Sequence, residues 1–157
     1  MPFTDVKVLR SYSGDKGGFA YLSEAVGTEL TTIMPVTGTS PFMSDSYFID
    51  VSSNHNGGVF NLWIDDITMP FTNVRIENVE AGRSGGFIHH HDETMSKGSF
   101  TFTGSQFYNS HALNGQGGAI KSRARDFDFS FVMTNNANDI SEFSSTGSGG
   151  FIYADSN

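Results

Sequence analysis

Apolar residues recur at every second position in short runs along this chain. Val6 and Val8, Val74 and Ile76, Phe100 and Phe102, and Phe127, Phe129 and Phe131 are the clearest cases. A period of two puts alternate side chains on opposite faces of an extended backbone, so these runs predict half-buried β-strands. No segment carries the 3.6-residue period of an amphipathic helix. Leu is scarce and Phe dominates the large apolar residues, which also argues against a helical bundle. The pattern predicts an all-β chain.

Each run is followed by a glycine pair and further apolar residues. The pairs are Gly17-Gly18, Gly57-Gly58, Gly85-Gly86, Gly117-Gly118 and Gly149-Gly150, spaced 40, 28, 32 and 32 residues apart. Paired glycines at a fixed place mark corners, where φ must be positive or where a side chain would clash. A longer repeat overlies this one. Residues 1–19 and 69–87 match at nine of nineteen positions without a gap. Asn recurs at a similar place with Ala near it, as Asn78 and Ala81, Asn109 and Ala112, and Asn135 and Ala137. Stacked Asn side chains can form a hydrogen-bonded ladder from coil to coil.

A repeat of about 30 residues, all strand and turn, suits a solenoid in which each unit buries its inner face by stacking on its neighbours. The prediction is a right-handed parallel β-helix of about five coils of roughly 30 residues. Residues 1–157 form one segment, with 28–46 read as an inserted loop because Thr, Ser and Pro crowd there. Residue 157 falls inside a coil, and Met1 has an internal counterpart in Met69. The chain therefore reads as a fragment of a longer repetitive protein.

The fourth unit, Phe107-x-Asn109-x-x-Ala112-x-x-x-x-Gly117-Gly118-Ala119-Ile120, closely resembles the repeat of the polymorphic outer membrane protein family. That repeat joins an F-x-N element to a GGA[IV] element. Bacterial autotransporter passengers and large pectin-lyase-like surface proteins of protists share it. The resemblance implies an extracellular or cell-surface β-helix used for adhesion or structure, and it implies no catalytic residues.

Composition narrows the alternatives. Zero Cys removes disulfides, thiolate metal sites and a Cys nucleophile from this stretch. With 9 basic against 17 acidic residues and no basic cluster, nucleic-acid binding is disfavoured. No apolar run approaches the length of a membrane span, so no membrane insertion is expected in this segment.

Alignment after each glycine pair sorts the side chains into columns. Second-position residues (Ala20, Phe60, Ile88, Ile120, Ile152) and fourth-position residues (Leu22, Leu62, His90, Ser122, Ala154) are read as inward. Third-position residues (Tyr21, Asn61, His89, Lys121, Tyr153) and fifth-position residues (Ser23, Trp63, His91, Arg123, Asp155) are read as outward. Strict alternation puts the first position outside as well. Phe19, Phe87 and Phe151 would then form an apolar stripe for a protein partner, unless the glycine corner turns them inward.

Chemistry concentrates in the outward columns. His89 and His91 share a strand face and are the candidates for a metal, but Lys121 in the next coil repels a cation, so no metal is assigned. Tyr21, Trp63, Asp65, His89, His91, Glu93, Lys121 and Arg123 are the candidates for carbohydrate contact. Gly82-Arg83-Ser84-Gly85-Gly86 matches the nucleophile-elbow pattern by letter, yet lacks the strand-to-helix setting that the elbow needs. The sequence thus reads as a non-catalytic structural or interaction segment of an extracellular or cell-surface assembly, with protein partners or copies of itself and no cofactor. The alternative is a carbohydrate-binding or polysaccharide-cleaving β-helix.

Overall fold

The computed structural model describes residues 3–23, 42–64, 67–91, 97–132 and 140–155. Among them there is no helix, and sixteen strands build three parallel sheets. The first sheet stacks β1 (Phe3–Thr4), β5 (Met43–Ser44), β8 (Ile67–Thr72), β11 (Lys97–Thr103) and β14 (Asp126–Val132). The second stacks β2 (Lys7–Leu9), β6 (Tyr47–Ser53), β9 (Arg75–Ala81), β12 (Gln106–Ala112) and β15 (Ile140–Ser145), with β3 (Tyr12–Ser13) also on β6. The third stacks β4 (Ala20–Ser23), β7 (Phe60–Trp63), β10 (Ile88–His90), β13 (Ile120–Ser122) and β16 (Ile152–Ala154). Each repeat unit contributes one strand to each sheet, which makes a parallel β-solenoid. Three rungs, 42–64, 67–91 and 97–123, have a neighbour on both sides. The units at either end of the chain supply the outermost strands.

Equivalent residues of successive units lie directly over one another. Phe71, Phe102 and Phe131 are register partners, as are Phe60, Ile88, Ile120 and Ile152. Phe71 and Phe102 stack with ring centroids 4.6 Å apart and planes 3° from parallel. Phe48, Phe60, Phe71, Phe87, Phe100, Phe102 and Phe107 are all fully buried between the three sheets. Full burial of a Phe side chain contributes about 1.5–3 kcal/mol, so this aromatic column carries the fold.

Both glycines of the first four pairs are required, for different reasons. The first has positive φ, from 62° at Gly17 to 71° at Gly149. The second touches the next rung: a Cβ on Gly58 would lie 2.0 Å from the Gly86 carbonyl oxygen, and one on Gly86 2.1 Å from that of Gly118. The glycine pair is therefore where rungs approach most closely.

Two further columns bend the chain with positive φ. Asp5, Asp45, Asn73 and Gly104 follow the first sheet. Arg10, Asp50, Asn78, Asn109 and Glu142 sit within the second. Asp and Asn tolerate the left-handed region better than most residues. Their side chains also link the rungs, because Asn109 Nδ2 donates to Asn78 Oδ1 at 2.8 Å and Asn78 Nδ2 to Asp50 Oδ1 at 2.9 Å. The Asn ladder expected at Asn78 and Asn109 is thus present. Asn135 lies outside the described residues, and Glu142 occupies the next place in the column.

Two expectations need correction. Residues 28–41 of the expected insertion lie outside the described residues, but 42–46 is part of the solenoid. Phe42 and Met43 are buried, and Met43 and Ser44 pair with Phe71 and Thr72. The apolar residues there outweigh the Ser and Pro around them. The stripe of Phe19, Phe87 and Phe151 is the second correction. Phe87 is 0% exposed and packs its ring edge-to-face on Phe60 and Phe107, at 5.5 Å from each. The glycine corner breaks the alternation and turns the first position inward. Phe19 is 37% exposed and Phe151 half-buried because they belong to the outermost rungs.

Candidate functional site

The third sheet is short, and its outer face carries the two columns that contain most of the candidate residues. Strand register puts Tyr21, Asn61, His89, Lys121 and Tyr153 in one column. Backbone bonds from His91 to Leu62, from Arg123 to His90 and from Asp155 to Ser122 continue the register to Trp63, His91, Arg123 and Asp155. Asp65 and Glu93, also expected here, lie outside the described residues.

The third-position column points away from the core, as the alternation requires, yet its centre is covered. Asn61 is 0% exposed, His89 2% and Lys121 7%. The column ends remain open, with Tyr21 exposed and Tyr153 half-buried. His89 Nδ1 donates to Asn61 Oδ1 at 3.0 Å. Burial, then the positive charge of Lys121, with smaller contributions from His91, His90 and Arg123, holds the His89 pKa well below its usual value. His89 is therefore a neutral imidazole at pH 7. Burial and then Arg123 also lower the Lys121 pKa, which Asp155 partly offsets. The Lys121 ammonium lies 5.8 Å from the Tyr153 ring centre.

In the adjoining column, Trp63 and His91 stack with centroids 4.1 Å apart and planes 8° from parallel. Arg123 Nη1 donates to His91 Nε2 at 3.4 Å. Lys16, from the first rung, places its ammonium 5.1 Å from the Trp63 ring centre and 5.5 Å from that of Tyr21. Trp63 belongs to the second rung, so His91 covers the ring from the third-rung side and Lys16 approaches it from the first-rung side. Each face of the indole thus has a neighbour, His91 on one side and the Lys16 ammonium on the other.

His90 points the other way and serves the core. Its Nε2–H donates to the Ile64 carbonyl at 2.8 Å, while Nδ1 pairs with Ser122 Oγ at 3.1 Å. The Ser122 hydroxyl also accepts the Ala124 N–H at 3.2 Å. This is a satisfied interior histidine. Ser84, in the letter match to a nucleophile elbow, is buried in the turn between β9 and β10, where its hydroxyl accepts the Gln116 N–H at 3.2 Å. No strand-to-helix turn is present there.

The arrangement collects N–H donors and positive charge. Among the described residues, Asn61 Nδ2, Trp63 Nε1 and Arg123 Nε are buried without a hydrogen-bond partner. No group of three metal-binding side chains comes together among the described residues. Asn61 and Lys16 were not singled out from the sequence as site residues. Their column positions were the available signal, since Asn61 sits third after a glycine pair and Lys16 immediately precedes one. No family model, curated protein or solved structure matches the chain.

Proposed function

We propose that this chain is a non-catalytic structural segment of a larger extracellular or cell-surface assembly, in which copies stack end to end through their outermost rungs. The observation that carries the reading is the glycine corner at the fifth unit. Gly18, Gly58, Gly86 and Gly118 each lie where a Cβ would strike the carbonyl of the following rung, at 2.0–2.2 Å. Gly150 keeps the same residue type, yet a Cβ there would meet only the Phe143 carbonyl, 3.9 Å away. A glycine is retained where nothing described yet demands one, and a following rung would demand it.

Two further features support the reading. Phe127, Phe129, Phe131, Phe143 and Phe151 of the last unit are only half-buried, although they continue the aromatic column. The first unit repeats the sequence of a rung that has neighbours on both sides: 1–19 matches 69–87, and 69–87 lies in the third rung. Phe3, Leu9 and Tyr12 are exposed at that end. Parallel edge strands leave unpaired backbone groups, and an identical unit can pair with them in register. Such head-to-tail contact does not close on itself and yields filaments. The resemblance of the fourth unit to the polymorphic outer membrane protein repeat supports the surface location.

Sedimentation velocity across a concentration series tests this. The wild-type chain should form oligomers of growing length, and Gly150→Ala should remain monomeric with an unchanged circular dichroism spectrum. A wild type that stays monomeric, or a Gly150→Ala variant that associates equally well, would overturn the reading.

A further inference from the structure

The fifth unit is built like the second rung. Residues 50–58 read DVSSNHNGG, and the register-equivalent residues 142–150 read EFSSTGSGG. Asp50 and Glu142 are both acidic and both left-handed, at φ 57° and 60°. Ser53 Oγ donates toward the Asn56 and Gly57 carbonyls at 3.4 and 3.2 Å, and Ser145 Oγ toward the equivalent Ser148 and Gly149 carbonyls at 3.2 and 3.4 Å. The third rung follows the second, and its residues 69–87 match 1–19 at nine of nineteen positions. The fifth unit of one copy and the first unit of another can therefore repeat an interface that each chain already contains, the one between its second and third rungs.

That interface supplies the register of the junction. Within the chain, Asn78 Nδ2 donates to Asp50 Oδ1 at 2.9 Å. Arg10 takes the place of Asn78 in the first unit, with φ 54° against 51°, and Glu142 takes the place of Asp50. Both Arg10 and Glu142 are exposed. A neutral donor and acceptor inside the chain thus become an arginine and a carboxylate between chains, a stronger hydrogen-bonded pair. The Arg10 N–H donates to the Ile49 carbonyl at 3.0 Å, which sets Arg10 over Asp50 in its own chain. In the stack its guanidinium has a carboxylate one rung away on either side, each strand about 4.8 Å from the next. By the same equivalence Phe131 meets Phe3 as Met43 meets Phe71, and Gly150 meets Gly18 as Gly58 meets Gly86. The column is acidic at one end of the chain and basic at the other, which favours a head-to-tail join over a join of like ends.

We propose that Glu142 of one copy and Arg10 of the next pair across the stacking junction and set its direction and register, with the first unit seated on the fifth as the third rung sits on the second. The proposal rests on the end-to-end stacking above and adds the residues that recognise the partner copy.

Arg10→Glu and Glu142→Arg each put like charges at the junction. Each alone should raise the concentration needed for assembly at least about tenfold in sedimentation velocity. An equimolar mixture of the two should recover assembly, because every mixed junction pairs opposite charges. If the wild type assembles and both variants assemble equally well, or if the mixture does no better than its components, the pairing is overturned and end-to-end stacking still stands. A monomeric wild type would overturn both. A cysteine pair reads the register without touching these charges. Ser52 and Glu80 are partners between the second and third rungs, and Ser144 and Tyr12 are their counterparts at the junction. Ser144→Cys and Tyr12→Cys, both at exposed positions, should form a mixed disulfide dimer under mild oxidation. Ser144→Cys and Gly14→Cys, two residues out of register, should not. Failure of the first pair to cross-link, or preference for the second, would overturn the register whatever the charge variants do.

Discussion

Replacing Gly86 by Ala probes rung stacking at its tightest point. The added methyl would lie 2.1 Å from the Gly118 carbonyl oxygen and 2.7 Å from both the His111 carbonyl oxygen and Ser110 Oγ. Ordinary van der Waals contact begins near 3.4 Å. The third and fourth rungs must then separate locally by more than an ångström. The bonds most directly stretched are Gly86 N to Gly117 O, at 3.3 Å, and Phe87 N to Ala119 O, at 2.8 Å. Losing two such bonds costs about 1–3 kcal/mol together, and strain in the packed layer around Phe87 adds about 1–3 kcal/mol. The expected loss is therefore about 2–6 kcal/mol, a large share of a typical domain's stability. Gly150→Ala is the control, because a Cβ there meets nothing closer than 3.9 Å. In the monomer it should be neutral, or stabilising by up to about 1 kcal/mol through the unfolded chain. Urea unfolding at low protein concentration, followed by far-ultraviolet circular dichroism, measures both. A Gly86→Ala protein within about 0.5 kcal/mol of wild type would refute the stacking geometry. Equal losses from the two substitutions would refute it as well.

Other consequences follow from single residues. Phe87→Ala should cost about 3–5 kcal/mol because the ring is a core element, and a loss below about 1 kcal/mol in denaturant unfolding would mean the ring is not buried. Asn78→Ala should cost about 1–3 kcal/mol, since it removes two ladder bonds at a residue with φ 51°. Glu142→Asn should stabilise by a few tenths to about 1 kcal/mol, because it puts a better left-handed residue at φ 60° and can extend the ladder from Asn109. His89 predicts a pH dependence. Its folded pKa is depressed by burial, so between the two pKa values the unfolded chain binds the extra proton. Stability from this group is fully present above the unfolded pKa of about 6.5 and falls as pH drops below it. Urea midpoints measured from pH 8 to pH 5 should decline, and His89→Gln should flatten the part of that decline that His89 causes.

Much of the fold was legible because each repeat states the same rule. The glycine pairs mark both the positive-φ corner and the close approach of rungs, and alternating Phe and Val residues identify the strands. Phe87 was ambiguous for a specific reason. Period-two alternation assumes a continuous strand, and the glycine corner interrupts it just before the apolar residue. The covering of Asn61, His89 and Lys121 was not legible, because alternation tells which way a side chain leaves the sheet and says nothing of what lies over it. Nor did the donor cluster stand out. Arg123 comes from a different unit than Asn61 and Trp63, and only strand register places it on their sheet face. The positive-φ column was half legible, since Asn78 and Asn109 announce it while Arg10 and Glu142 do not.

Parallel, in-register stacking of one strand per unit is the claim on which the rest depends. The chain has no Cys, so engineered pairs report without background. Ser99 and Asp128 are register partners in the first sheet, and Ser130 is two residues further along β14. Parallel neighbours in register lie about 4.8 Å apart, within reach of a disulfide, whereas an offset of two residues gives about 8 Å, which is out of reach. Mild oxidation should therefore cross-link Ser99→Cys/Asp128→Cys within one chain and leave Ser99→Cys/Ser130→Cys reduced. Preferential cross-linking of the second pair, or equal cross-linking of both, would contradict the solenoid register.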